Sequence, residues 1–81
     1  MVYVRFFGLI RIQLKEASTH IAASTIDDLL LKLENKYDIN LKELKSAVIF
    51  LNGRNIAHLR LYKTELQEGD SVDILSPAGG G

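Results

Sequence analysis

Ser71-Val72-Asp73-Ile74-Leu75-Ser76-Pro77-Ala78-Gly79-Gly80-Gly81 closes the sequence and joins two unlike segments. In the first, Val72 and Ile74 fall on one side of an extended chain and Asp73 and Leu75 on the other, the period-two pattern of a strand with one buried face. The second is proline, alanine and three glycines, which add almost no side chain. Residues 76–81 span about 20 Å when extended, and glycine allows close backbone approach at almost any φ. The pattern therefore divides the chain into a folded part, 1–75, and a flexible tail, 76–81, with the candidate reacting group at the carboxylate of Gly81. The plain alternative is a linker-like end that does no chemistry.

Upstream, Glu68-Gly69-Asp70 reads as a turn into that strand. Ala47-Val48-Ile49-Phe50-Leu51 is apolar on both faces, as a central strand is. Asn52-Gly53 is a strong turn signal, and Arg54 to Leu59 is expected to return as a short strand. Asn40 to Ser46, with Leu41 and Leu44 three apart, accommodates one helical turn. Ser24 with Asp27 resembles a capping box, and Ile26, Leu29, Leu30, Leu33 and Tyr37 recur at helical spacing, which predicts an amphipathic helix of about three turns. Asp27 and Asp28 at its start and Lys32 and Lys36 toward its end suit the macrodipole. At the amino end Val2, Val4 and Phe6 alternate with Tyr3, Arg5 and Phe7. After Gly8, Ile10, Ile12 and Leu14 alternate with Arg11, Gln13 and Lys15, so the two runs predict an antiparallel hairpin. The fold class is α+β: a mixed sheet covered on one face by a main helix. Its core is expected to set Leu29, Leu30 and Leu33 against Val4, Phe6, Ile12, Val48 and Ile74. Alternation then sends Phe7 and Leu75 to the other face.

Eighty-one residues make one small domain. Ten Lys and Arg balance ten Asp and Glu, so no long-range field draws the protein to nucleic acid or an anionic membrane. The absence of cysteine excludes a disulfide framework, thiolate metal sites and sulfur carried on a thiol. No apolar run reaches a membrane span and the amino end lacks a signal-peptide layout, so a soluble cytoplasmic protein is expected. His20 and His58 have no ligand spacing between them, and no metal or bound cofactor is expected. Asp27-Asp28 reads as capping, Gly8, Gly53 and Gly69 as single turn residues rather than a phosphate loop, and the scattered lysines as solvated surface.

A terminal carboxylate has a pKa near about 3.5, so at neutral pH it is an anion that resists nucleophiles. Reaction with ATP would convert it to an acyl-adenylate, and a partner's persulfide could then displace AMP to leave a thiocarboxylate on Gly81. The chain offers no catalytic apparatus of its own for these steps.

Phe6-Phe7 followed by Arg11, then Asn52-Gly53-Arg54-Asn55-Ile56 with His58-Leu59, then Thr64, Leu66, Gly69-Asp70, Val72, Ile74, Pro77 and Gly80-Gly81 resemble, in order and spacing, the molybdopterin synthase small subunits (MoaD-type) of the MoaD/ThiS sulfur-carrier family. The resemblance covers nearly the whole chain and implies a ubiquitin-like β-grasp fold. The chain departs from that family at Ser76, where the first residue of a Pro-Pro pair is usual, at Gly79 and at Leu75, where an aromatic is common. These departures touch partner fit rather than the reacting group. Arg60 to Lys63 also lacks a glycine common there.

The resemblance further implies a non-catalytic, sulfur-donating subunit. Gly81 would be activated by an E1-like adenylyltransferase that uses ATP, with a sulfur donor acting through that enzyme. It would then donate sulfur to the pterin precursor of a molybdenum or tungsten cofactor inside the molybdopterin synthase large subunit. Pro77, Ala78, Gly79 and Gly80 would thread into both partners. Phe7 and Leu75, with Arg11 at their edge, would form the partner-binding patch. Three alternatives stand beside it: a ubiquitin-like modifier joined to lysines through Gly81, a thiamin-type sulfur carrier, whose relatives tend to be shorter, and a β-grasp binding module with an inert tail.

Overall fold

In the computed structural model, which describes residues 1–76, the alternating amino-terminal run forms β1 (Val2–Gly8), with Val2, Val4 and Phe6 buried and Arg5 and Phe7 turned to the opposite face. The segment after β1 is not the predicted second strand of a tight hairpin. Gly8 turns at φ +76° and Leu9–Leu14 forms a short helix, α1. Ile10 and Leu14 satisfy two periods at once, because residues four apart also share a helix face. Ile10 is buried and Leu14 packs against the core. Ile12, roughly 200° around the helix from both, is 73% exposed and takes no part in the core expected of it. The hairpin partner is instead β2 (Ser18–Ile21), antiparallel to β1 with Val2 opposite Ile21 and Arg5 opposite Ser18.

The main helix, α2 (Ile26–Tyr37), buries Ile26, Leu29, Leu30 and Leu33 and leaves Leu31 exposed. Its cap is Thr25 rather than Ser24. The Thr25 hydroxyl accepts the Asp28 amide at 3.1 Å, and the Asp28 carboxylate accepts the Ser24 amide at 2.9 Å, so the cap lies one residue beyond the Ser24–Asp27 pairing and Asp28 reaches back past it. The single turn after Asn40 is α3 (Leu41–Lys45), with Leu44 buried.

In β3 (Val48–Leu51) the inward residues are Ile49 and Leu51, while Val48, expected in the core, is 37% exposed. An all-apolar run carries no parity signal, and the pairing with its neighbour strand decides which face each residue takes. Asn52 and Gly53 both have positive φ, 50° and 84°, as a type I′ hairpin turn requires. The returning strand β4 is only Arg54–Asn55. A 3-10 turn over Ile56–His58 then buries Ile56, and a second follows at Leu61–Lys63.

The chain ends its described course in β5 (Ser71–Ser76). Strand order is β2-β1-β5-β3-β4, with β1 and β5 parallel and the other pairs antiparallel. β5 takes the middle and β3 lies one strand outward, flanked by β5 and β4. Val4, Phe6, Val72, Ile74 and Ile49 from the sheet meet Leu29, Leu30 and Leu33 of α2 in one core, with Phe6 edge-on to Tyr37 at 5.8 Å. A mixed sheet wrapped on one main helix is the ubiquitin-like β-grasp.

Candidate functional site

Register across the three middle strands assembles one row of the face that points away from α2. Phe7 of β1 pairs with Leu75 of β5, and Leu75 pairs with Val48 of β3. Phe6, Ile74 and Ile49 point inward, so strand alternation turns their neighbours outward. Phe7, Leu75 and Val48 are accordingly 36%, 40% and 37% exposed. Phe7 and Leu75 were predictable from alternation in their own strands; Val48 was not, because its strand is apolar throughout.

The next row is Arg5, Asp73 and Phe50. The Arg5 guanidinium donates through Nε to Asp73 Oδ1 at 2.7 Å and through Nη2 to Oδ2 at 2.9 Å. Its carbon lies 5.6 Å from the Phe7 ring centroid. These hydrogen bonds and the charge of Asp73 push the Arg5 pKa above its ordinary range, so the guanidinium stays charged. An exposed ion pair adds little stability, but here it borders the apolar row with a cation already neutralised. On the other flank, beside Val48, lies a depression of about 210 Å³ lined by Ala47, Ile56, Ala57, Leu61 and Tyr62 among others.

Arg11 is exposed on α1 rather than on a strand beside Phe7. Pro77, Ala78, Gly79, Gly80 and Gly81 lie outside the described residues; their approach is marked by Ser76, paired with Gly8 at the ends of β5 and β1. The Ser76 hydroxyl accepts the backbone N–H of Ile10 at 2.6 Å. Glycine is required opposite it: a Cβ on Gly8 would collide with the Ser76 carbonyl oxygen, and φ there is +76°. This contact escaped the sequence because α1 itself did.

Among the described residues no three His, Cys, Asp or Glu side chains converge as a metal-ligand set. His20 stacks on Tyr3 at 4.8 Å and His58 lies in a 3-10 turn. No helix among the described residues is long and apolar enough to cross a membrane. The row of Phe7, Leu75 and Val48 offers contact area, not acid–base chemistry.

Comparison with known proteins gives a consistent result. The model of the ThiS family matches residues 4–81. Small archaeal modifier protein 3 of Haloferax volcanii is similar at 33% identity over 88 aligned positions, covering 96% of each chain. Among solved structures, the small archaeal modifier protein 1 of Methanosarcina acetivorans superposes with a TM-score of 0.85 at 29% identity, over 99% of this chain and 95% of that one. A chain of the complex of subunits 1 and 2 of the molybdopterin-converting factor from Helicobacter pylori 26695 superposes with a TM-score of 0.70 at 31% identity, over 99% of this chain and 97% of that one.

Proposed function

The chain belongs to the ThiS family of ubiquitin-like sulfur carriers and modifiers, and from that premise we propose that it is the sulfur carrier of molybdenum or tungsten cofactor synthesis, reacting at the carboxylate of Gly81. The observation that carries this reading is the family match, which runs through Gly80-Gly81. The likeness to a chain of the molybdopterin-converting factor supports the destination.

In this reading an E1-like adenylyltransferase in the cytoplasm binds ATP, and the Gly81 carboxylate attacks the α-phosphorus, releasing pyrophosphate and forming the acyl-adenylate. A persulfide on a partner displaces AMP to give an acyl disulfide. A second thiol of that partner cleaves the S–S bond, which leaves a thiocarboxylate on Gly81 and a disulfide on the partner. The large synthase subunit then takes the sulfur. The carrier itself holds no cofactor. Its contribution is to dock through Phe7, Leu75 and Val48, with Arg11 as a further contact, while Pro77 to Gly80 carry the terminus into each active site.

Two relatives that are protein modifiers favour a second reading, in which activated Gly81 is transferred to lysine amines of other proteins. Both readings share the adenylation step, so ATP–pyrophosphate exchange tests the common part. Deleting Gly81, or appending a carboxy-terminal tag, is expected to abolish exchange with the fold intact by circular dichroism; undiminished exchange by the tagged protein overturns both. Intact-mass analysis after incubation with activating enzyme, ATP and sulfur donor separates them. Oxygen replaced by sulfur at the terminus supports the carrier, and ladders of larger conjugates on denaturing gels support the modifier.

A further inference from the structure

Helix α1 starts without a cap of its own. Its N-cap residue is Gly8, which has no side chain to satisfy the amides of the first turn. One of those amides, on Ile10, is satisfied from the far end of the chain by the Ser76 hydroxyl at 2.6 Å, across 66 residues of sequence. At the same place the Ser76 backbone comes so close to Gly8 that no other residue fits there without a collision. The parallel β1–β5 ladder reaches its end at this Gly8–Ser76 pair. Three restraints therefore converge on the residue immediately before Pro77: the ladder, the close backbone approach and the side-chain bond to α1.

We propose that Ser76 is a positioning residue, whose hydroxyl clasps α1 and fixes the backbone at the end of β5, so that a partner seated on Phe7, Leu75 and Val48 meets the root of the tail at a set point. The inference rests on the carrier or modifier reading only for where the terminus goes; the clasp itself is a property of Gly8, Ile10 and Ser76. Leu75 and Ser76 are adjacent, so the docking row and the departure point move as one unit. Delivering a reacting carboxylate to ATP depends on orientation as well as on affinity, and small misplacements carry large rate penalties. Without the hydroxyl, docking should survive while orientation is lost.

The test compares wild type with Ser76→Ala and Ser76→Thr in steady-state ATP–pyrophosphate exchange by the activating enzyme, with amide hydrogen exchange at Ile10 followed by NMR in parallel. Ser76→Ala is expected to lower kcat by about tenfold, to leave KM for the carrier within about twofold, and to deprotect the Ile10 amide. Ser76→Thr keeps a hydroxyl and is expected to restore both kcat and Ile10 protection. A loss of stability alone would lower the unfolding midpoint without this kcat–KM split well below that midpoint. An Ile10 amide equally protected in Ser76→Ala, a wild-type kcat in that variant, or a Ser76→Thr protein as slow as Ser76→Ala with its amide protected, would each overturn the proposal. Failure of the wild-type protein to support any exchange would instead sink the adenylation reading, and the Ile10 measurement would still decide whether the clasp exists.

Discussion

The two faces of the sheet come from the same strands and the same alternation, yet only one is closed. Toward α2, Phe6, Ile74 and Ile49 are sealed beneath Leu29, Leu30 and Leu33. One residue away in each strand, Phe7, Leu75 and Val48 stand in an equally apolar row that retains more than a third of its surface in water. A small domain gains stability by covering apolar area, and this row, left open at the strand ends nearest Ser76, is the part of the sheet that the proposed function assigns to partners. The difference teaches that burial and exposure divide by parity here, one residue apart in each of three strands.

Breaking the covered face should give the largest effect. Leu30→Ala is expected to cost about 2–5 kcal/mol in denaturant unfolding, a large share of what a domain of this size possesses. Ile49→Ala should fall in the same range, whereas Val48→Ala next to it should stay within about 0.5 kcal/mol, as surface substitutions do. Equal losses at the two positions would erase the distinction between the faces.

Charging the open face sharpens the same contrast. Phe7→Glu or Leu75→Glu is expected to leave circular dichroism near wild type while weakening binding to the activating enzyme or the large synthase subunit by about 2 kcal/mol or more, the scale of an interface hot spot. Isothermal titration reads the loss. Unchanged affinity for both partners would make the row incidental, and a collapsed fold would mean that Phe7 supports the core.

The smallest effect concerns the start of the covering helix. The Ser24 amide, and then Lys32, hold the Asp28 carboxyl below its ordinary value of 3.8. A carboxyl with a depressed folded pKa stabilises the protein above the unfolded value and loses that contribution as pH falls through the folded one. Wild-type stability should therefore include a small acid-side decline below about pH 4. Asp28→Asn should be slightly less stable at neutral pH and lack that part of the decline. Thermal midpoints at several pH values check this, and parallel curves for the two proteins would remove Asp28 from the account.

Much of this division can be read from the residues. The helical spacing of Leu29, Leu30 and Leu33 identifies the covering helix because no other period fits it. Alternation in Val2–Phe7 and Val72–Leu75 places both Phe7 and Leu75 on the far face, since each strand mixes apolar with polar residues. The illegible parts have particular causes. Ile10 and Leu14 fit a strand and a helix alike, and only Gly8 turning out of the ladder resolves the choice. Ser18 to Ile21 has too little apolar pattern to announce an edge strand. Val48 cannot be assigned a face inside a wholly apolar run. The Arg5–Asp73 and Ile10–Ser76 contacts join residues 68 and 66 apart, so they follow from the parallel pairing of β1 with β5, which no local signal states. Pro77 to Gly81 are read from sequence and family alone.

The central place of β5 also bears on how the sheet is completed. β1 with β2, and β3 with β4, are local ladders that can form while residues 71–76 are still unmade, but each then presents a raw inner edge of unpaired amides and carbonyls. Only β5, the last in sequence of the described strands, fits between them, and non-local closure of this kind slows folding. Its insertion joins the two ladders, aligns Leu75 between Phe7 and Val48, and brings Ser76 against Gly8 in a single event. The row proposed for docking therefore does not mature after the domain has folded. A molecule that has yet to seat β5 has neither a finished core nor a recognisable face, so an activating enzyme that reads that face would engage only chains whose folding is complete.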